Sequence, residues 1–214
     1  MIMNAVSGIV TTILNLILKA YVNAITVLGL FFKLESFAFM PVFGLTQGVL
    51  PIMSYNYGAR NKKRFIETYK YGIIFALVIM AVGLILFQAI PGQLLSLFSS
   101  DPKLIELGKF ALRIASICFI FAAYGILSTT MLQAIRMGTS SLIISLLRQL
   151  ILLVPFAFLF TYLWGVKGIW FAYPCSEVLV SIIFLITSKK LIDKKFSEDN
   201  LQKIDLKEEI IVNG

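Results

Sequence analysis

The sequence predicts an all-α membrane protein built as a bundle of six transmembrane helices, and three observations carry that prediction. Apolar residues make up 59% of the 214 and charged residues only 14%, against roughly a quarter charged in ordinary soluble domains. Mean hydropathy is +0.91. The apolar residues come as long runs broken by short polar or basic segments, the pattern expected when helices of about 20 residues each cross a bilayer. The formal charge of +8 does not indicate nucleic acid as a partner, because the basic residues lie in short runs between apolar spans rather than along one polar face.

The first apolar stretch, Ile2 to Phe32, is too long for one crossing, and two divisions are open. In one, span one is 2–18, a turn covers Lys19 to Asn23, and span two is 24–57; in the other, span one reaches Phe32 and the turn is Lys33-Leu34-Glu35. Both give two crossings before Arg60. No basic segment or small-residue cleavage site precedes the first run, so it is expected to be a retained span. Within span two, Pro41 and Pro51 each remove a backbone donor, and Gly44 and Gly48 leave gaps where another backbone can approach. A twice-interrupted helix is expected there, stopped by Asn56-Tyr57-Gly58 and followed at once by Arg60, Lys62, Lys63 and Arg64.

Span three, 69–90, is stopped by Pro91-Gly92. Asp101, or Ser100 before it, is placed to cap the next helix with Pro102 in its first turn. Span four is then 104–135, Arg136-Met137-Gly138 forms a loop, and span five is 139–162. The segment from Trp164 to Gly168 is a tight turn with an interfacial aromatic. Span six, 169–188, contains Pro174 and ends at Lys189-Lys190. The remaining 193–214 mixes charges of both signs and reads as a solvated cytoplasmic extension, with a helical form open to it. Six spans put both termini on one side. Ten basic residues fall there (Arg60, Lys62, Lys63, Arg64, Lys70, Arg136, Lys189, Lys190, Lys194, Lys195) and five on the other (Lys19, Lys103, Lys109, Arg113, Lys167). That asymmetry predicts a multi-pass cell-membrane protein with cytoplasmic termini.

Cys118 and Cys175 lie inside apolar segments, and histidine is absent. No disulfide framework, metal site or cofactor is expected, and neither a Ser-His nor a Cys-His catalytic pair is available. An enzyme is the least favoured class. What stands out instead is charge inside the spans. Lys33, Glu35, Arg148 and Glu177 each cost about 2.5 to 3.5 kcal/mol on insertion scales unless paired or wet, so each is a candidate for the substrate path. Lys33 and Glu35, about 200° apart around a helix, cannot share a face. Arg148 and Glu177 both fall roughly 15 to 18 Å from the same end of antiparallel spans five and six, and are expected to face each other, as a structural ion pair or in a substrate or proton role. Gln47 is a further candidate, for an interhelical hydrogen bond or for the path itself. Pro41, Gly44, Pro51 and Pro174 are candidate hinges. A broken apolar helix closed by a basic loop is how secondary transporters commonly build a substrate path.

The string F-K-L-E-S-F-A-F-M-P-V-F-G-L-T-Q-G-V-L-P-I-M-S-Y-N-Y-G-A-R resembles the second helix of the C-terminal half of the multidrug and toxic compound extrusion (MATE) transporters. L-R-Q-L-I-L-L-V-P and G-I-W-F-A-Y-P-C-S-E resemble the matching places in the fifth and sixth helices of that half. The resemblance covers about Ile2 to Phe196 and favours the division with a long second helix. It implies one six-helix half of a twelve-helix fold, in which two bundles form a V around a cleft and exchange organic cations or other amphiphiles for inward-moving Na⁺ or H⁺. It also implies that Lys33, Gln47, Arg148 and Glu177 face the cleft or the bundle interior. Two departures bear on activity. A full member is about twice this length, and the runs matching the helices where some members hold a coupling cation, Ile2 to Leu18 and Phe110 to Ile135, contain no Asp or Glu. The expectation is the C-terminal bundle of a cation-coupled multidrug antiporter that needs a second bundle. The alternatives are a non-transporting remnant or interaction subunit and, third, a lipid-linked oligosaccharide flippase of the wider superfamily. The lipid bilayer and an amphiphilic or cationic small molecule are the expected partners.

Overall fold

The computed structural model describes the backbone of residues 2–19 and 21–213 and the side chains of 8–19, 21 and 23–197. Helices α1 (Ile2–Ile17), α2 (Val22–Gly58), α3 (Lys62–Ala89), α4 (Pro91–Ser96), α5 (Pro102–Ser116), α6 (Cys118–Ala134), α7 (Gly138–Leu146), α8 (Val154–Trp164) and α9 (Ile169–Asn213) follow in order. A π-helical segment, Leu147–Leu153, joins α7 to α8, and a 3₁₀ turn, Gly165–Lys167, joins α8 to α9. No strand occurs among the described residues. Four helical stretches are long and apolar enough to cross a membrane: α2, α3, the run Gly138–Lys167, and α9 as far as Ser197. The bent pair α5–α6 makes a fifth, and α1 adds the apolar Gly8–Ile17.

Helix α6 is the centre of the bundle. It packs against α2, α3 and α9 and is buried almost all round, from Cys118 and Phe119 to Leu132 and Ala134. Small residues, Ala122, Ala123 and Gly125, let its neighbours approach closely. Phe119 lies edge-on between Phe39 of α2 at 5.4 Å and Phe87 of α3 at 5.1 Å. Its polar groups are satisfied within the helix, Thr129 and Thr130 donating to the Ile126 carbonyl, or across helices: Ser128 Oγ bonds the Tyr69 hydroxyl at 2.8 Å, and the Phe121 carbonyl accepts from Ser181 at 2.9 Å.

Helix α2 runs unbroken through Pro41 and Pro51. The expected interruptions do not occur. Each proline removes one ladder bond while the turns on either side keep theirs, and both rings lie on the exposed face of the helix, where no packed neighbour forces a break. A turn at Lys33-Leu34-Glu35 is therefore not the division adopted. Pro174 is likewise inside α9.

The helix ends at the basic side share one device. Arg60 N–H donates to the Tyr57 carbonyl at 3.0 Å and Asn61 N–H to that of Asn56 at 2.9 Å. Arg136 and Met137 repeat the arrangement on Gln133 and Leu132. These are Schellman stops, which place the residue after the cap in the left-handed region; here it is arginine, with φ of 57° at Arg60 and 62° at Arg136. Helix α2 thus ends at Gly58, with Ala59 as its cap and the left-handed residue at Arg60. Asn61 then caps α3, its side chain accepting from Arg64 N–H at 3.1 Å. At the other end of the bundle, Asp101 caps α5 by accepting from Lys103 N–H at 2.9 Å, with Pro102 in the first turn.

Three segments depart from the sequence expectation. Span four is broken at Ile117 and bent by 46°. The Arg113 carbonyl, which Ile117 N–H would bond in a continuous helix, accepts instead from Gln88 Nε2 of α3 at 2.8 Å and from Ser116 Oγ at 3.2 Å. The Ile117 amide turns to Ile114. Span five contains the π-helical segment, and Pro155, just after it, supplies the cause: the ring has no N–H and clashes with the carbonyl a turn earlier, which a wider turn relieves. The tail is a helical extension of span six, α9 continuing to Asn213, and its start is docked rather than solvated. Ile192 and Phe196, one turn apart, are buried below the basic run; the tail's side chains from 198 onward lie outside the described residues.

Gln88→Leu is expected to lower unfolding free energy by about 1 to 3 kcal/mol, measured by denaturant titration of the purified chain in detergent. Arg136→Gly, which removes a side chain from left-handed backbone, is expected to raise it by about 1 kcal/mol.

Candidate functional site

A cavity of about 350 Å³ lies inside the bundle between α1, α2, α6, the π-helical segment and α9. Helix α2 presents Phe32, Glu35, Ser36, Phe39 and Phe43 to it, a set at the three- and four-residue spacing of one helical face. Tyr173, Ser176 and Glu177 face it from α9, and Arg148, Gln149 and Leu153 from the π-helical segment. In an α-helix, neighbours such as Arg148 and Gln149 point about 100° apart; the wider turn helps bring both to the same space.

Arg148 Nη1 lies 3.5 Å from Glu177 Oε2, and both side chains are largely buried. This exceeds the 2.7 to 2.9 Å of a tight charge-assisted hydrogen bond, so the pair is loose. It sits over Gly125 of α6: a Cβ there would lie 3.6 Å from Arg148 Nη1 and 3.8 Å from Glu177 Oε2. Any side chain longer than alanine at 125 would take the space the pair fills. The Ser36 and Ser176 hydroxyls bond back to their own helices, to Phe32 at 2.7 Å and Tyr173 at 2.9 Å. The Tyr173 hydroxyl and Glu177 Oε2 are buried with no hydrogen-bond partner among the described residues. Two carboxyl groups and one guanidinium share the space, and apart from the Cys118 thiol every available acceptor is oxygen. Such a set suits a donor or a small hard cation rather than a soft metal. Among the described residues no group of three or more His, Cys, Asp or Glu could hold a metal ion.

Of the residues singled out in the sequence, the structure gathers Glu35, Arg148 and Glu177 into this cavity. Lys33 is not there: it is exposed on α2, with Nζ 5.8 Å from the Phe98 ring of the segment after α4. Gln47 is also exposed and away from the cavity, on the face of α2 that carries Pro41, Gly44 and Pro51. Gly44 and Gly48 line an open apolar groove against Tyr71 and Phe75 of α3. Sequence reasoning passed over Tyr173, Ser36, Gln149 and Gly125. Tyr173 was legible as a position four before Glu177; Gly125 and Gln149 depend on a packing contact and a π turn that no spacing announces.

A multi-pass helical bundle with charged groups turned into an internal cavity belongs to the class of membrane transporters. The MatE family model matches residues 1–159, and the chain belongs to the MATE family of multidrug efflux transporters. It is similar to the multidrug export protein MepA of Staphylococcus saprophyticus, 29% identical over 199 residues, and to that of Staphylococcus aureus strain MSSA476, 30% identical over 198. Each match covers 90% of this chain and 44% of the relative, so the chain spans less than half the length of those relatives. Among solved structures, it superimposes on an outward-facing multidrug-resistance MATE transporter of the MOP superfamily with a TM-score of 0.85 at 21% identity, covering 91% of this chain and 44% of that one. A MATE structure in the bent conformation gives 0.84 at 21%, covering 92% and 44%. These likenesses establish the fold.

Arg148→Ala, which leaves Glu177 buried without its counter-ion, is expected to cost about 3 to 5 kcal/mol. Arg148→Met combined with Glu177→Gln should recover most of it. The yield of monodisperse protein from the membrane checks both, and equal loss in the single and double variants would show that the pair is not what holds α9 to the π-helical segment.

Proposed function

We propose that the chain is the C-terminal bundle of a cation-coupled multidrug efflux antiporter, exchanging amphiphilic or cationic small molecules for Na⁺ or H⁺, and that it acts only beside a second six-helix bundle. The observation that carries this is the contrast between exposed helix faces. On α3 the exposed face reads Ile74, Phe75, Val78, Val82, Ile85, and on α9 it reads Leu179, Ile182, Ile183, Leu185, Ile186; both are lipid surfaces. The exposed surface of α2 also carries the apolar Phe37, Met40, Phe43, Ile52 and Tyr55, but it interleaves them with Gly44, Gln47, Gly48 and Ser54 and with Pro41 and Pro51. Polar and small residues at membrane depth suit a wet cleft or the close approach of other helices, not hydrocarbon.

The cavity behind that face supports the same reading. Glu35 and Glu177, partly offset by Arg148, offer a place for one coupling cation, and their carboxyl oxygens accommodate either H⁺ or Na⁺. The span of less than half of each relative's length supports the second bundle. The ten-to-five basic asymmetry supports cytoplasmic termini. In this scheme the bundles rock about the cleft, with Pro41, Gly44, Pro51 and Pro174 as the places where α2 and α9 bend.

Ethidium efflux tests it. Cells expressing the chain alone should show none, and cells expressing it joined to the first bundle of a family member should show efflux that Glu35→Gln or Glu177→Gln largely removes. Gln47→Cys should react with a membrane-impermeant maleimide while Val78→Cys does not, and Lys62→Cys and Lys194→Cys should be labelled from the same side. Efflux by the lone chain, or an unreactive Gln47→Cys, would overturn the proposal.

A further inference from the structure

The transport reading leaves the basic end of the bundle unused, and its geometry is specific. Two basic runs far apart in sequence meet there because the extension of α9 docks under the α2–α3 turn. Phe196, 6% exposed, packs edge-on against Tyr57 at 5.3 Å and Phe65 at 5.4 Å, and Lys62 Nζ lies 2.9 Å from Asp193 Oδ1. This clasp brings the start of α3, with Lys63 and Arg64, and the stretch of α9 that follows Lys189 and Lys190 to the same end of the bundle. All four are exposed. The acidic groups nearby are Asp193, bonded to Lys62, and Glu67, exposed one turn above Lys63.

The second observation is register. Leu185 and Ile186 are 63% and 62% exposed on the lipid face of α9, and Lys189 and Lys190 follow four residues later, on the same face at the next turn down. On α3, exposed Ile74 and Tyr71 lead down through Lys70 to Lys63 in the same way. A molecule whose chains lie along the aliphatic stripes would bring its headgroup to the basic runs. A soluble polyanion would make no use of the stripes.

We propose that this end of the bundle is a binding site for the headgroup phosphate of an anionic phospholipid, assembled by the α9 clasp. Phosphate is the acceptor that lysine and arginine clusters take up beside a membrane. The proposal rests on the chain being a multi-pass membrane protein and not on the transport reading, so a failed efflux assay leaves it standing.

The test uses the full chain reconstituted in phosphatidylcholine vesicles, with spin-labelled phosphatidylglycerol or phosphatidylcholine as probe and the immobilised fraction as readout. The native chain should prefer phosphatidylglycerol by about fivefold or more, since one lysine or arginine near the surface contributes about that factor. Lys63→Gln with Arg64→Gln, and separately Lys189→Gln with Lys190→Gln, should each reduce the preference by up to about 25-fold, two charges at about fivefold apiece, or remove it. All four residues are exposed, so neither pair threatens folding. Phe196→Ala, which removes no charge, should weaken the preference as well, and Phe196→Leu should preserve it; size-exclusion chromatography confirms that each variant is folded. Equal immobilisation of the two lipids by the native chain would overturn the proposal. So would indifference to either basic pair, or full preference in a folded Phe196→Ala variant, which would reduce the effect to diffuse surface charge. If Phe196→Ala does not fold, the requirement for both runs decides the matter.

Discussion

Inside hydrocarbon a backbone N–H or C=O has no water to turn to, and helices are the structure that pairs nearly all of these groups within the chain. The requirement explains why the described residues are helical and why departures from the ladder are answered locally. Where α5 gives way to α6, a side chain from another helix, Gln88, takes the carbonyl that the bend releases. Where α2 and α6 stop, paired backbone bonds close the ends even though arginine must adopt a left-handed conformation to make them. At these three places the bend or stop comes with a specific partner.

The same economy governs the charged groups. Arg148 and Glu177 come from neighbouring antiparallel segments, and the absence of a side chain at Gly125 leaves them a recess against the central helix. Their contact is loose: Glu177 Oε2 makes no hydrogen bond in it, and the buried Tyr173 hydroxyl has no hydrogen-bond partner among the described residues. A pair serving only to staple helices gains most from tight, fully bonded geometry. This one shares its space with Glu35 and the Tyr173 hydroxyl, the condition under which an entering cation or donor alters the balance among several acceptors.

Much of the architecture was legible in the residues. The apolar runs, the Asp101-Pro102 start of α5 and the turn between Trp164 and Gly168 follow from local chemistry, and the meeting of Arg148 with Glu177 follows from equal depth in antiparallel neighbours. What was not legible depends on partners remote in sequence. Nothing around Ile117 marks a bend, because the wedge is Gln88 on another helix. Nothing in 193–197 separates a solvated tail from a docked one, because the surface that receives Phe196 belongs to Tyr57 and Phe65. The prolines of α2 misled in the opposite direction, since a missing donor weakens a helix without ending it when the rings face outward. Lys33 was weighed as a buried charge, yet it reaches the Phe98 ring outside the cavity.

The π-helical segment has a further implication. Helices α7 and α8 together hold one residue more than a straight α-helix of the same rise would need, so the faces above and below the segment are out of phase by roughly one residue's rotation, about 100°. Loss of any single residue between Leu147 and Leu153 would restore regular winding and turn one half of the rod relative to the other, carrying Arg148 off the cavity or Ala157 out of the core. That surplus residue is the margin by which the fifth crossing presents a cation to the interior and still keeps its aromatic face toward the lipid.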